Sequence, residues 1–188
     1  MLFPEYFLTL QDMSQSILLL LAHPNIANSK ANNALVNAVK DIPGVTFRHL
    51  EVHKKNGLFD LQKETDLLRN AAIIIWQFPL YWYSCPSALR DWQDQVLSPI
   101  VYGPENFLKG KRVLVVFTAG ARQTAFRAGD ILGFTPDEML RPLQMTTNAA
   151  LMQWLPPFTV FGAGEMSAEA LEKTCAEYRE LVLGLSQG

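Results

Sequence analysis

Short continuous apolar runs punctuate the chain, and most are followed by a stretch whose apolar positions recur at helical spacing. The runs Ile17–Ala22, Ala72–Gln77, Val113–Phe117 and Phe158–Phe161 are rich in Ile, Val, Leu or Phe. That is the pattern of strands covered on both faces. A fifth segment, Val45–Glu51, sets Val45, Phe47, His49 and Glu51 against Thr46, Arg48 and Leu50, which predicts a more exposed edge strand. Helical spacing covers Ala31–Val39, stopped by Pro43 and Gly44, and Pro86–Leu97, where Ala88, Leu89, Trp92 and Val96 share a face. Thr135-Pro136-Asp137-Glu138 reads as a capping box opening a helix that Pro142 is expected to kink or end. Ser167–Leu183 reads as a terminal amphipathic helix with Ala170, Leu171, Thr174, Tyr178 and Leu181 inward.

Strand and helix alternating in this way predict an α/β fold: one domain, a five-stranded parallel sheet and helices on both faces. Right-handed crossovers and this spacing fit the strand order 2-1-3-4-5. In such sheets ligands lie beyond the carboxyl ends of the strands at the topological switch point, beside strands one and three. The loops after Ala22, Gln77 and Phe117 are therefore where function is expected. No repeat or linker divides the chain. Residues 1–15 are set apart as an N-terminal arm or leader, with Leu2, Phe3, Tyr6, Phe7 and Leu8 as a small apolar patch ahead of Met13, and 16–188 form the domain.

Composition narrows the function classes. Lys and Arg total 16 against 18 Asp and Glu, a net charge of −2, so a nucleic-acid partner is not expected. Ile17–Ala22 is far shorter than the roughly 20 apolar residues that span a bilayer. Cys85 and Cys175 fit no metal spacing and read as free thiols of a reducing compartment. A helix start could lower the pKa of Cys85, but a small buried hydrophobe is the plainer reading. His49 and His53 lack a third ligand and read as surface residues, so no metal is expected. Asp91 and Asp94 read as a solvated face.

The first loop, His23 to Asn32, is rich in short polar side chains and feeds a helix that Ser29 can cap. The free N–H groups of that helix start are either simply capped or form an anion site, with Lys30 and His23 as added donors. No G-x-G-x-x-G or P-loop pattern is present, since Gly110-Lys111 is followed by Arg112. The second loop, Phe78-Pro79-Leu80-Tyr81-Trp82-Tyr83-Ser84-Cys85-Pro86, holds three consecutive aromatics between prolines. They cannot all bury on one face, so the loop suits a planar, partly hydrophobic ligand, an interface, or both. The third loop, Thr118-Ala119-Gly120-Ala121-Arg122, is built of small residues that permit close backbone approach.

Together, Ala22-His23-Pro24, Ser29-Lys30-Ala31-Asn32, the run Trp76 to Pro86 and Leu108-Lys109-Gly110-Lys111 resemble the NAD(P)H:quinone oxidoreductase family, whose fold is flavodoxin-like. Within it, Trp154-Leu155-Pro156-Pro157-Phe158 is most similar to the glutathione-regulated potassium-efflux ancillary proteins. The resemblance implies FMN, or alternatively FAD, held without covalent bonds at a homodimer interface, with NAD(P)H as co-substrate and a quinone-like acceptor in ping-pong order. It places His23, Ser29, Lys30, Ala31 and Asn32 around the flavin phosphate and Pro79, Leu80, Tyr81, Trp82 and Tyr83 along the isoalloxazine. Thr118, Ala119, Gly120 and Ala121 would reach the ring's polar edge.

Two departures from the family pattern stand out. Thr-Thr-Gly-Gly in the third loop is here Thr118-Ala119-Gly120-Ala121, and the family's Tyr and His positions correspond to Phe126 and Ile131, neither of which can donate a proton. The resemblance thus implies two readings. One is a flavin-dependent reductase taking its protons from water, with Arg122 and Arg127 as nearby positive charge. The other is a regulatory subunit on the cytoplasmic side of a potassium-efflux transporter, at the inner face of the cell membrane, with weak or no redox activity.

Overall fold

The computed structural model describes residues 15–188, so the expected N-terminal arm lies outside the described residues apart from Gln15. The strands are β1 (Ile17–Leu21), β2 (Val45–His49), β3 (Ile73–Pro79), β4 (Arg112–Thr118), β5 (Gln153–Trp154) and β6 (Phe158–Val160). All pairings are parallel and the order is β2-β1-β3-β4-β5, with β6 also on β4. This is the flavodoxin-like order expected from the spacing.

The fifth strand position holds two pieces. Gln153 and Leu155 donate their N–H groups to Lys111 and Val113 at the start of β4 (2.8 and 2.9 Å). Pro156 and Pro157 then supply no donors, and the ladder resumes only where Phe158 meets Val116. The sequence reading found the second piece and missed the first, because a two-residue strand carries no periodicity.

Alternation along the buried strands divides the core in two. Ile17, Leu19, Leu21, Ile73, Ile75, Leu114 and Val116 face α1 (Lys30–Val39) and α7 (Ala168–Gln187), packing with Leu35, Val39, Tyr178 and Val182. Leu18, Leu20, Ile74, Trp76, Phe78, Val113, Val115 and Phe117 face the other way. They meet α3 (Leu61–Asn70), α4 (Ser87–Trp92) and α6 (Pro136–Ala149), with Leu68, Leu89, Trp92, Leu140 and Leu143. The helix α4 passes into a π-helical segment, Gln93–Leu97, and then α5 (Ser98–Val101).

Several expectations require correction. The second strand ends at His49, and Leu50–His53 forms the short helix α2. His49 and His53 are half-buried rather than surface residues. The helix α6 runs through Pro142 without a break and carries the expected capping box at Thr135 and Glu138. The inward face of α7 is Leu171, Tyr178, Val182 and Ser186, while Ala170 and Leu181 are exposed. Cys85, by contrast, is buried, as its plainer reading expects, and burial pushes its thiol pKa up.

One buried ion pair ties the α2–α4 layer to the edge strand. The Arg48 guanidinium binds Glu64 Oε1 through Nε (2.8 Å) and a terminal nitrogen, and Trp92 Nε1 donates to Glu64 Oε2 (3.1 Å). Glu64 is wholly buried and Arg48 nearly so.

Candidate functional site

Three loops converge at the carboxyl ends of β1, β3 and β4, where the strand order places the switch point. The first loop enters α1 through Ser29, whose Oγ accepts from the N–H of Asn32 (3.3 Å). The N–H groups of Lys30 and Ala31 have no acceptor among the described residues, so the positive end of a ten-residue helix faces the cleft. Lys30 Nζ donates to the carbonyl of Met166 (3.0 Å), which draws the start of α7 toward this corner.

His23 is held on two sides. Its Nδ1 accepts from the N–H of Asn25 (3.0 Å), and its carbonyl oxygen lies 2.8 Å from His49 Nε2. With Nδ1 accepting, the proton of the neutral ring sits on Nε2. Burial, and secondarily His49, lowers the His23 pKa, favouring that neutral form.

The second loop turns back on itself. Tyr81 and Ser84 exchange both backbone hydrogen bonds (3.0 Å each), and Trp82 and Tyr83 occupy the two turn positions with φ of 47° and 63°. That is a type I′ turn made from two bulky residues where Asn-Gly is the usual solution. Trp82 is 92% exposed, and Tyr81 and Tyr83 are about half exposed, so the aromatic wall faces outward. The third loop is stitched to the chain after β6. Ala119 donates to Val160 (2.7 Å) and accepts from Ala163 (3.0 Å), and Ala121 accepts from Gly162 (2.9 Å). The N–H groups of Gly120 and Ala121 have no acceptor among the described residues.

These loops enclose two adjoining hollows. One, of about 450 Å³, is lined by His23, Ser29, Lys30, Ala31, Asn32 and Thr118 among others, with Pro79 and Tyr81 at its side. The other, of about 190 Å³, lies among Leu80, Trp82, Tyr83, Ala119, Gly120, Ala121, Phe126 and Leu132. The fourteen expected site residues thus fall into these two hollows, with Tyr81 and Pro79 between the groups. Ala119 is buried on the opposite side of β4 from Thr118, within the apolar cluster of Phe117 and Phe126. Ala121 has no positive φ, so its methyl group imposes no backbone strain. Phe126 packs at a tilt against Phe161 (centroids 5.1 Å apart), while Ile131 is 84% exposed. A groove of about 480 Å³ between the π-helical segment and α6 lies on the flank of the helices, away from the strand-end loops.

The floor beneath the first hollow contains residues the sequence reading passed over. Gln77, wholly buried, donates Nε2 to Asn32 Oδ1 (3.3 Å) and to the Asn32 carbonyl (3.1 Å). Asn32 Nδ2 donates to Thr118 Oγ1 (2.8 Å), and the Tyr178 hydroxyl donates to Gln77 Oε1 (3.3 Å). Thr118 Oγ1 is therefore an acceptor within this floor. The signal for Gln77 was present in the sequence as one polar residue in the run Ile73–Phe78, where burial demands a partner.

Among the described residues no three His, Cys, Asp or Glu side chains cluster to hold a metal ion, and no helix is long and apolar enough to cross a membrane.

A helix start, an aromatic wall and a small-residue loop thus meet at one switch point, and residues 15–182 match the flavodoxin-like fold family, to which the chain belongs. The chain is similar to the glutathione-regulated potassium-efflux system ancillary protein KefG of Enterobacter sp. (strain 638), 36% identical over 172 residues, 89% of this chain and 94% of KefG. Among solved structures it is similar to an NADPH-quinone reductase from P. pentosaceus, 29% identical with a TM-score of 0.81, covering 89% of this chain and 97% of that one. The general stress protein 14 of Treponema denticola, solved in complex with FMN, is 30% identical with a TM-score of 0.85, covering 90% of this chain and 99% of that one.

Proposed function

We propose that this protein is an FMN-dependent NAD(P)H oxidoreductase with a quinone-like acceptor. The observation that carries the reading is the pairing of unpartnered helix-start N–H groups with an aromatic hairpin across one cleft. The residues fit the flavin. The N–H groups of Lys30 and Ala31, the Nε2–H of His23 and the hydroxyl of Thr118 suit a phosphate and polyol chain. Trp82 and Tyr83 suit the rim of a flat ring, and the N–H groups of Gly120 and Ala121 suit its polar edge.

When bound, FMN would supply the hydride chemistry between nicotinamide and acceptor. The protein's part is to hold and orient. Nicotinamide and acceptor would take the same place against the bound ring in turn, in ping-pong order. Phe126 and Ile131 offer no acid, so protons reach the site from water, and turnover is slow. A second copy of the chain would cover the exposed Trp82 that lines the smaller hollow, in a homodimer.

The likeness to KefG favours a second reading that does not exclude the first: the protein docks on a potassium-efflux transporter at the cytoplasmic face of the membrane. Purified protein titrated with FMN should turn yellow, bleach with NADPH and recover its colour with a quinone. Protein that takes up no FMN refutes the enzyme. Protein that binds FMN without bleaching, and co-purifies with a transporter, favours the regulatory reading.

A further inference from the structure

The polar residues beneath the cleft form a chain with a single direction. Gln77 and Thr118 sit on the α1/α7 face of the sheet, on adjacent strands and two register positions apart, since Gln77 pairs with Val116 and Pro79 with Thr118. They are the polar ends of the apolar columns Ile73-Ile75 and Leu114-Val116. Asn32 comes from the first turn of α1, and Tyr178 from the middle of α7. Four elements therefore contribute one side chain each to a network of buried residues, which reaches the larger hollow at Asn32 and Thr118.

The donors can be ordered without ambiguity. Gln77 Nε2 has two acceptors on Asn32, its carbonyl and Oδ1, which leaves Gln77 Oε1 as acceptor for the Tyr178 hydroxyl. Asn32 Oδ1 is then an acceptor, and Asn32 Nδ2 must be the donor to Thr118 Oγ1. The Thr118 hydroxyl is left with its own proton, and Thr118 lines the larger hollow. Tyr178 faces the Gln77 oxygen, so its hydroxyl donates there, and burial pushes its pKa up and keeps that proton in place. Reversing Gln77 would set its oxygen against the Asn32 carbonyl, and reversing Asn32 would set two N–H groups against each other, at a cost of about 1–3 kcal/mol.

We infer that Tyr178, Gln77 and Asn32 are positioning residues that fix the Thr118 hydroxyl as a hydrogen-bond donor into the cleft. This rests on the flavin reading above and deepens it. The ligand group opposite Thr118 must be an acceptor, as a phosphate or polyol oxygen is. The chain also couples the site to α7, on the far side of the sheet edge from the aromatic loop. Asn32 serves twice, because its N–H is the one capped by Ser29, so the relay also holds the helix start whose free N–H groups face the same cleft.

The test is a double-mutant cycle in FMN affinity, read by quenching of flavin fluorescence, with apoprotein melting temperatures confirming that each variant folds. Thr118→Val should weaken FMN binding about tenfold, and Tyr178→Phe about threefold in the otherwise unchanged protein. In the Thr118→Val background Tyr178→Phe should change affinity by less than about 1.5-fold, because no hydroxyl remains to orient. Thr118→Ser should restore binding, and with it the sensitivity to Tyr178→Phe. Should Tyr178→Phe fail to fold, Gln77→Met cuts the relay at another link and enters the same cycle. An equal factor in both backgrounds means a merely structural role and overturns the inference alone. Wild-type protein that binds no FMN overturns the flavin reading and the inference with it.

Discussion

The aromatic hairpin stores backbone strain that the fold does not need. Replacing Trp82→Asn and Tyr83→Gly together puts the preferred type I′ pair at the two positions with φ of 47° and 63°. Each bulky residue in the left-handed region costs roughly 1–2 kcal/mol, so the gross relief is about 2–4 kcal/mol. Trp82, 92% exposed, gives up almost no burial, whereas the half-buried Tyr83 ring gives up about 1 kcal/mol. Glycine's extra freedom in the unfolded chain removes a further roughly 0.5–1 kcal/mol. The double variant should therefore be more stable by about 1 kcal/mol. For a chain of this size that is a melting temperature higher by about 2–4 °C. The same change strips two aromatic walls from the smaller hollow, and aromatic contacts of about 0.5–1.5 kcal/mol each predict FMN binding weaker by roughly tenfold. Differential scanning calorimetry and FMN titration read the two effects separately. A variant no more stable than the parent refutes the strain argument. One that is more stable yet binds FMN unchanged refutes the placing of Trp82 and Tyr83 at the ring.

Glu64→Gln leaves the buried Arg48 guanidinium without a counter-charge, and should destabilise the fold by about 3–5 kcal/mol in urea unfolding. A loss under about 1 kcal/mol would mean that solvent reaches this pair. The lowered pKa of His23 makes stability depend on pH. The unfolded chain takes up the proton at about 6.5 and the folded chain only below that, so His23's share of stability is complete above about 6.5 and is lost as pH falls through the folded value. Melting temperatures measured from pH 8 to 5 should fall toward acid, and His23→Gln should flatten that slope. An unaltered slope would assign the effect to other groups.

Much of the fold was legible because strands covered on both faces must be apolar at nearly every position. Ile17–Leu21, Ile73–Pro79 and Arg112–Thr118 announce themselves by composition alone. Strand order then followed from the handedness of crossovers, and the site's location from strand order. Errors fell where the local signal is weak or ambiguous. At the end of β2 the alternation of Val45–Glu51 outlasts the strand. On α7, several phases of one helix look equally apolar, and packing against β1 and β3 selects Tyr178 and Val182 over Leu181. Pro142 sits in a helix held by its capping box and by Leu140 and Leu143 in the core, so one missing donor does not end it.

The amino-acid order by itself determined which loops converge at the switch point, because periodicity sets the strands and chirality sets their arrangement. It also determined the chemistry each loop offers: short polar groups with a helix cap, three aromatics between prolines, and small residues after a strand. Only the tertiary structure decided which way the hydrogen bonds beneath those loops run. Asn32, Gln77, Thr118 and Tyr178 are separated by as many as 101 positions between bonded partners, and no pattern in a linear chain relates them. Their donors and acceptors acquire a direction only when packing excludes water and each buried group must find its complement among the others.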